Sequence, residues 1–187
     1  MTNDLDQEFE RLLEAMKKAG GALNEAGVPF VLGGGLACWA RGGPKTEHDV
    51  DFLVKPQDAE RAQQALAAAG MRTERPPEGW LLKAYDDGVL VDLIFNPKSG
   101  PIDEAAFGRA EDLEVHAMRF KVAPLEDVLV QKLLTLSEQQ PDFSSVLELA
   151  RSLREQVDGE DVRERTKESP FAKAYFTLLE ELEIVPG

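Results

Sequence analysis

The sequence predicts an α/β (α+β) chain with a helical C-terminal part, and three observations carry that prediction. Apolar residues alternate between helix-like and strand-like spacing up to about residue 95. Glycine and proline clusters punctuate the alternation. From Pro124 onward nearly every apolar residue recurs at helical period. A soft boundary near Ala123 therefore divides residues 1–123, the α/β part, from residues 124–187, a helical subdomain.

Leu5, Phe9, Leu12, Leu13, Met16 and Leu23 recur at helical spacing from about residue 4 to residue 26, where Gly27 offers a stop. "PFVLGG" then reads as a short buried strand broken by glycine, "LACWAR" as a brief helix and "GGPKTE" as a loop. "HDVDFLV" is the next strand. Pro56 opens a helix over "QDAERAQQALAAAG" that ends at Gly70. "MRTE" follows as a strand, and "WLLKAYDDGVLVDLIF" as two strands joined by an Asp86-Asp87-Gly88 turn. "NPKSGPIDEAAFGRAED" is irregular, and "LEVHAMRFKVA" suits another hairpin. Beyond it, Leu125, Val128, Leu129, Leu133 and Leu136 form an apolar helical stripe, and Asp142 suits the N-cap of a helix over "FSSVLELARSL".

A chain of 187 residues with 43% apolar content can bury a core of its own. Its net charge of -14 repels polyanions, which disfavours general nucleic-acid binding and favours a cationic or neutral small molecule as partner. One cysteine, Cys38, cannot form an internal disulfide, and no Cys/His spacing suits zinc; a buried apolar role in a reducing cytoplasm is expected. The acidic N-terminal stretch lacks a leader's basic and apolar regions, and no run approaches the ~18 apolar residues of a membrane span. A cytoplasmic protein without membrane contact is the expectation.

The chemistry concentrates in "VLGGGLACWARGGPKTEHDVDFLV". On a strand, residues two apart share a face, so Asp49 and Asp51 project together while Val50 and Phe52 face the other way. Paired carboxylates in a partly apolar setting repel and lose solvation unless a cation or a proton intervenes. Alone, such a pair is also what a solvated strand face or strand end looks like. Asp92, interrupting the apolar "VLVDLIF", argues against that, because an adjacent antiparallel strand could bring it to the same point. Three oxygen donors without His or Cys favour a hard cation, Mg²⁺ or Mn²⁺. Gly33, Gly34 and Gly35, between a strand and a helix, permit close approach of an anion to backbone N–H groups, although three glycines alone are more often a tight turn. A glycine seat for phosphates and a carboxylate trio for a metal are the two halves needed to hold a metal-bound nucleoside triphosphate.

These residues resemble the signature of the DNA polymerase β nucleotidyltransferase superfamily: a Gly-Gly or Gly-Ser turn, a short helix, an Asp-x-Asp strand and a later single Asp. Here that signature reads "LGGGLACWARGGPKTEHDVDFLV" and then "LVDLIF", across about residues 28 to 95. The triple glycine, with Thr46 and His48 just ahead of the aspartates, is similar to small aminoglycoside and lincosamide nucleotidyltransferases and to nucleotidyltransferase-type toxins. The resemblance implies a mixed sheet flanked by helices, a divalent metal (Mg²⁺ or Mn²⁺) on Asp49 and Asp51, and Asp92 as third ligand or base. It implies a triphosphate such as ATP against Gly33 and Gly34. Family members often place a serine in the glycine turn; this sequence has none, so backbone must supply that contact. The family often has a lysine reaching the triphosphate, a role that falls to Lys132; a lysine at the edge of an apolar stripe can equally extend to water.

The implied reaction is transfer of a nucleoside monophosphate to a hydroxyl of a small molecule, an RNA end or a protein side chain, with release of pyrophosphate. The competing readings are a non-catalytic partner on the same fold, such as an antitoxin or regulatory module, and an acidic domain whose aspartates are incidental. Helices at both ends could cover the core or form a homodimer or toxin–antitoxin contact. Secondary candidates are His48 for phosphate or sugar, Trp39, Trp80 and Tyr85 for stacking, and Arg41 and Lys45 for phosphate; each is equally an ordinary structural residue. Asp142 is not assigned to catalysis, and His116 has the look of a surface residue without a partner.

Overall fold

The structure, a computed structural model, describes residues 2–46 and 49–184. Helix α1 spans Thr2–Glu25, strand β1 Val31–Leu32, α2 Gly34–Trp39, β2 Asp49–Leu53 and α3 Ala59–Ala68. Next come β3, Arg72–Glu74, β4, Leu81–Asp86, β5, Val89–Ile94, α4, Glu104–Arg109, β6, Glu111–Val115, and β7, Met118–Val122. The chain ends in helices α5, Leu125–Thr135, α6, Ser144–Leu153, α7, Gly159–Arg165, and α8, Pro170–Glu181. Among the described residues no helix is long and apolar enough to cross a membrane.

The strands form one mixed seven-stranded sheet in the order β3-β4-β5-β2-β1-β7-β6. Two tight hairpins drive much of it. Asp87 and Gly88 turn β4 into β5 with positive φ at both positions, and His116 and Ala117 turn β6 into β7 in the same way. β1 is only two residues long, yet it sits near the centre, antiparallel to β2 and parallel to β7. The stretch from residue 96 to 112, which reads as irregular, contains α4: the Asp103 carboxylate accepts the Ala106 N–H at 3.0 Å and so starts a helix too short for its period to register.

Phe52 of β2 and Phe120 of β7 are fully buried and lie against Phe30, on the face of the sheet that α1 covers. A Cβ on Gly20 of α1 would stand 2.7 Å from the Phe120 ring, so this glycine lets the helix seat on the sheet. The pleat then turns Asp49, Asp51 and Leu53 to the opposite face. There α2 contacts β2 and α5, so α5 forms a wall facing the aspartates.

Two local expectations change. His116 has a partner, with Nε2 3.4 Å from Glu14 Oε1 on α1. Asp142 sits one residue outside the cap of α6, where its carboxylate accepts the Ser144 N–H at 2.9 Å.

Candidate active site

The three glycines sit in three different settings. Gly33 is extended and donates its N–H to the Asp51 carbonyl at 2.8 Å, pinning the turn to β2. Gly34 has φ +54, and a Cβ there would lie 1.7 Å from Asp51 Oδ2. A Cβ on Gly35 would lie 2.6 Å from the Thr46 side chain. A side chain at Gly34 is thus opposed twice, by backbone conformation and by the aspartate.

β2 and β5 pair in parallel, with Asp51 beside Asp92. This corrects the antiparallel neighbour expected from sequence: β5 is antiparallel to β4, its hairpin partner, and inserts between β4 and β2. One carboxylate oxygen from each of Asp49, Asp51 and Asp92 lies within 4.8 Å of the others. Burial, reinforced by the charges of Asp49 and Asp92 and opposed by Lys132, pushes Asp51 from 3.8 up to about 8. Asp92 is pushed to about 6 by burial, with Lys83 opposing and Asp49 adding to the rise. Lys83, its cross-strand neighbour on β4, stands 3.8 Å from Asp92 Oδ1. That distance makes an ion pair but no hydrogen bond, so the buried Oδ1 has no donor among the described residues.

These residues fit a hard divalent cation. The donors are oxygens only, they converge, and one is a buried oxygen lacking a partner. A pH dependence follows. Because the folded-state pKa of Asp51 lies above its ordinary value, its contribution to stability is full below about pH 4 and is lost as pH rises through about 8. Metal-free protein compared with Asp51→Asn across pH 4 to 9 should show the wild type losing melting temperature relative to the variant as pH rises. Mn²⁺ should restore it.

The trio lines a cleft of about 980 Å³. Gly33, Gly34 and Lys132 line the same cleft, as do Leu53, Trp80, Ile94 and Asn96. Lys132, on α5, also lines a smaller cavity behind Gly35 with Thr46 and Glu148. Of the aromatic candidates only Trp80 reaches the cleft: Trp39 packs edge-on to Phe9 at 4.9 Å, and Tyr85 lies under the Arg72 guanidinium at 4.0 Å. Arg41 is engaged elsewhere, bonding Glu111 and the carbonyls of Val122 and Ala123. Lys45 pairs with Asp6 at 2.8 Å and covers the Phe9 ring. Cys38 is buried, and burial raises its thiol to about 11, as suits a core residue. His48 lies outside the described residues.

Asp127 gave no signal in the sequence. It is buried on α5 and lines the cleft, where Arg109 donates Nε and a terminal nitrogen to Oδ2 at 3.2 and 2.9 Å and Arg165 donates to Oδ1 at 2.7 Å. It resembles an ordinary first-turn acid, and its partners are distant in sequence.

The model of a family described as uncharacterised nucleotidyltransferases matches residues 4–183. The chain belongs to that family. No curated protein matches the sequence of this nucleotidyltransferase. Among solved structures, it is similar to the antibiotic-resistance factor ANT(2'')-Ia in complex with adenylyl-2''-tobramycin. The TM-score is 0.64 at 16% identity, covering 87% of this chain and 98% of that one. The solution structure of ANT(2'')-Ia gives 0.59 at 17%, covering 91% and 94%. A candidate nucleotidyltransferase from Thermotoga maritima gives 0.51 at 18%, covering 85% and 94%. The mixed sheet flanked by helices is the DNA polymerase β-like nucleotidyltransferase fold, which ANT(2'')-Ia shares.

Proposed function

We propose that this nucleotidyltransferase moves a nucleoside monophosphate from a nucleoside triphosphate to a hydroxyl of a small molecule, using Mg²⁺ or Mn²⁺ and releasing pyrophosphate. What supports this reading above all is the convergence of three carboxylates within 4.8 Å beside a glycine turn with no room for a side chain at Gly34. Asp49, Asp51 and Asp92 would hold the cation, which when bound neutralises phosphate charge and favours the ionised acceptor. Gly33 fixes the turn, and Gly34 presents bare backbone to the triphosphate. Lys132 reaches from α5 toward the same phosphates. The acceptor oxygen forms a bond to the α-phosphorus as the Pα–O–Pβ bond breaks. Pyrophosphate leaves with the electron pair, and Asp92 takes the hydroxyl proton. Residues 1–123 would form the catalytic unit and residues 124–187 a helical subdomain that walls the cleft, in a cytoplasmic protein.

Melting the protein with each nucleoside triphosphate, with and without Mn²⁺, tests the reading. A ligand at 100 times its dissociation constant stabilises by about 2.7 kcal/mol, so a Mn²⁺-dependent rise with at least one triphosphate is expected. The absence of any such rise would favour the non-catalytic reading.

A further inference from the structure

A net charge of -14 suggests a cationic or neutral acceptor, but the charges that line the cleft suggest otherwise. Apart from the metal-binding trio, the carboxylate among its described lining residues is Asp127, and both oxygens of Asp127 are taken by arginines. A polyamine entering the cleft therefore meets no free carboxylate beyond the trio. Two lysines on the cleft wall, Lys98 and Lys132, have no carboxylate within 4.0 Å among the described residues; with Lys132 given to the triphosphate, Lys98 is the one left for an acceptor. Lys132 stands on the glycine side. Lys98 lies in the exposed loop that follows β5.

The floor is graded. The cleft lining follows Asp92 and Ile94 of β5 into Asn96, which lies in the bend just past the end of the strand. It passes from carboxylate to apolar to amide. Trp80 is held beside this stretch because its carbonyl accepts the N–H groups of both Phe95 and Asn96 at 3.1 Å. Its indole is half-buried and lines the cleft. An indole next to an apolar floor accepts the C–H face of a ring, whereas Asn96 and Ser99 offer hydrogen bonds to hydroxyls.

We infer that the acceptor is a hydroxylated ring carrying one acidic group, laid against Trp80 with that group at Lys98 and a hydroxyl at Asp92, and that polyamine acceptors are selected against. This rests on the transfer reaction proposed above: the ring's hydroxyl oxygen bonds the α-phosphorus, pyrophosphate departs and Asp92 receives the proton. The charge preference is the reverse of what the likeness to a structure in complex with adenylyl-2''-tobramycin would suggest.

The test compares glucose 6-phosphate, glucose and tobramycin as probes, with ATP and Mn²⁺, by pyrophosphate release and product mass. ATP binding is first checked by the melting shift. Loss of that shift defeats the underlying reaction and the inference with it. With ATP bound, kcat/KM should fall from glucose 6-phosphate to glucose to tobramycin. Lys98→Glu, on an exposed loop, should lower the glucose 6-phosphate to glucose ratio about tenfold, the effect of about 1.4 kcal/mol. Trp80→Phe should keep both ring substrates and Trp80→Ala should raise their KM. Transfer chiefly to tobramycin, an unchanged ratio in Lys98→Glu, or transfer to none of the three while ATP still binds would each overturn the acceptor class and leave the nucleotide reading standing.

Discussion

Asp51→Asn is expected to lower transfer by about a thousandfold or more and to erase the Mn²⁺-dependent melting shift with nucleotide. Asn keeps the size of the side chain, so the contact with Gly34 survives and the fold with it. What disappears is one of the three charges that make the site attractive to a cation. The same substitution should make the metal-free protein more stable than wild type above about pH 8, because a buried charge pressed by Asp49 and Asp92 is gone. Activity and stability thus move in opposite directions, which a merely unfolded variant cannot reproduce. Retained transfer, or a nucleotide shift that still needs Mn²⁺, would remove Asp51 from the site.

Gly34→Ala should be the most damaging single-methyl change in the molecule. The new Cβ would sit 1.7 Å from Asp51 Oδ2 on a backbone with φ +54. Relief requires either a shift of the turn, which Gly33 pins to the Asp51 carbonyl, or rotation of the aspartate out of the trio. The conformational and steric terms together cost about 2–4 kcal/mol. At about 2–4 °C per kcal/mol for a chain of this size, the melting temperature should drop by roughly 4–16 °C. Transfer should fall at least as far as in Asp51→Asn, since the same carboxylate is displaced. A melting temperature within a degree of wild type would mean that the turn relaxes without touching Asp51.

Much of this site was legible before any coordinates. Period-two spacing alone places Asp49 and Asp51 on one face, and an aspartate inside "VLVDLIF" is costly enough to demand an explanation, so the trio could be assembled from sequence. The direction of the β2–β5 pairing could not, because local spacing says nothing about which strand a hairpin inserts beside. The glycine turn was readable as permissive, but not as a turn closed to side chains by Asp51 itself, a contact between positions 17 residues apart. From sequence, Arg41 and Lys45 could be read equally as phosphate ligands or as ordinary structural cations. Their engagement by Val122, Ala123 and Asp6 depends on β7 and α1 arriving from elsewhere in the chain. Asp127 was hidden for the same reason.

β1 gives the molecule a particular order of manufacture. This two-residue strand leads straight into the glycine turn, and its support comes from β2 on one side and from β7 on the other, through Leu32 and Val122. A chain leaving the ribosome has all three aspartates in hand by residue 92, but the strand that steadies the turn, and the helix that carries Lys132, emerge only later. Until then the growing chain carries the three carboxylates without α5, the helix that walls the cleft facing them.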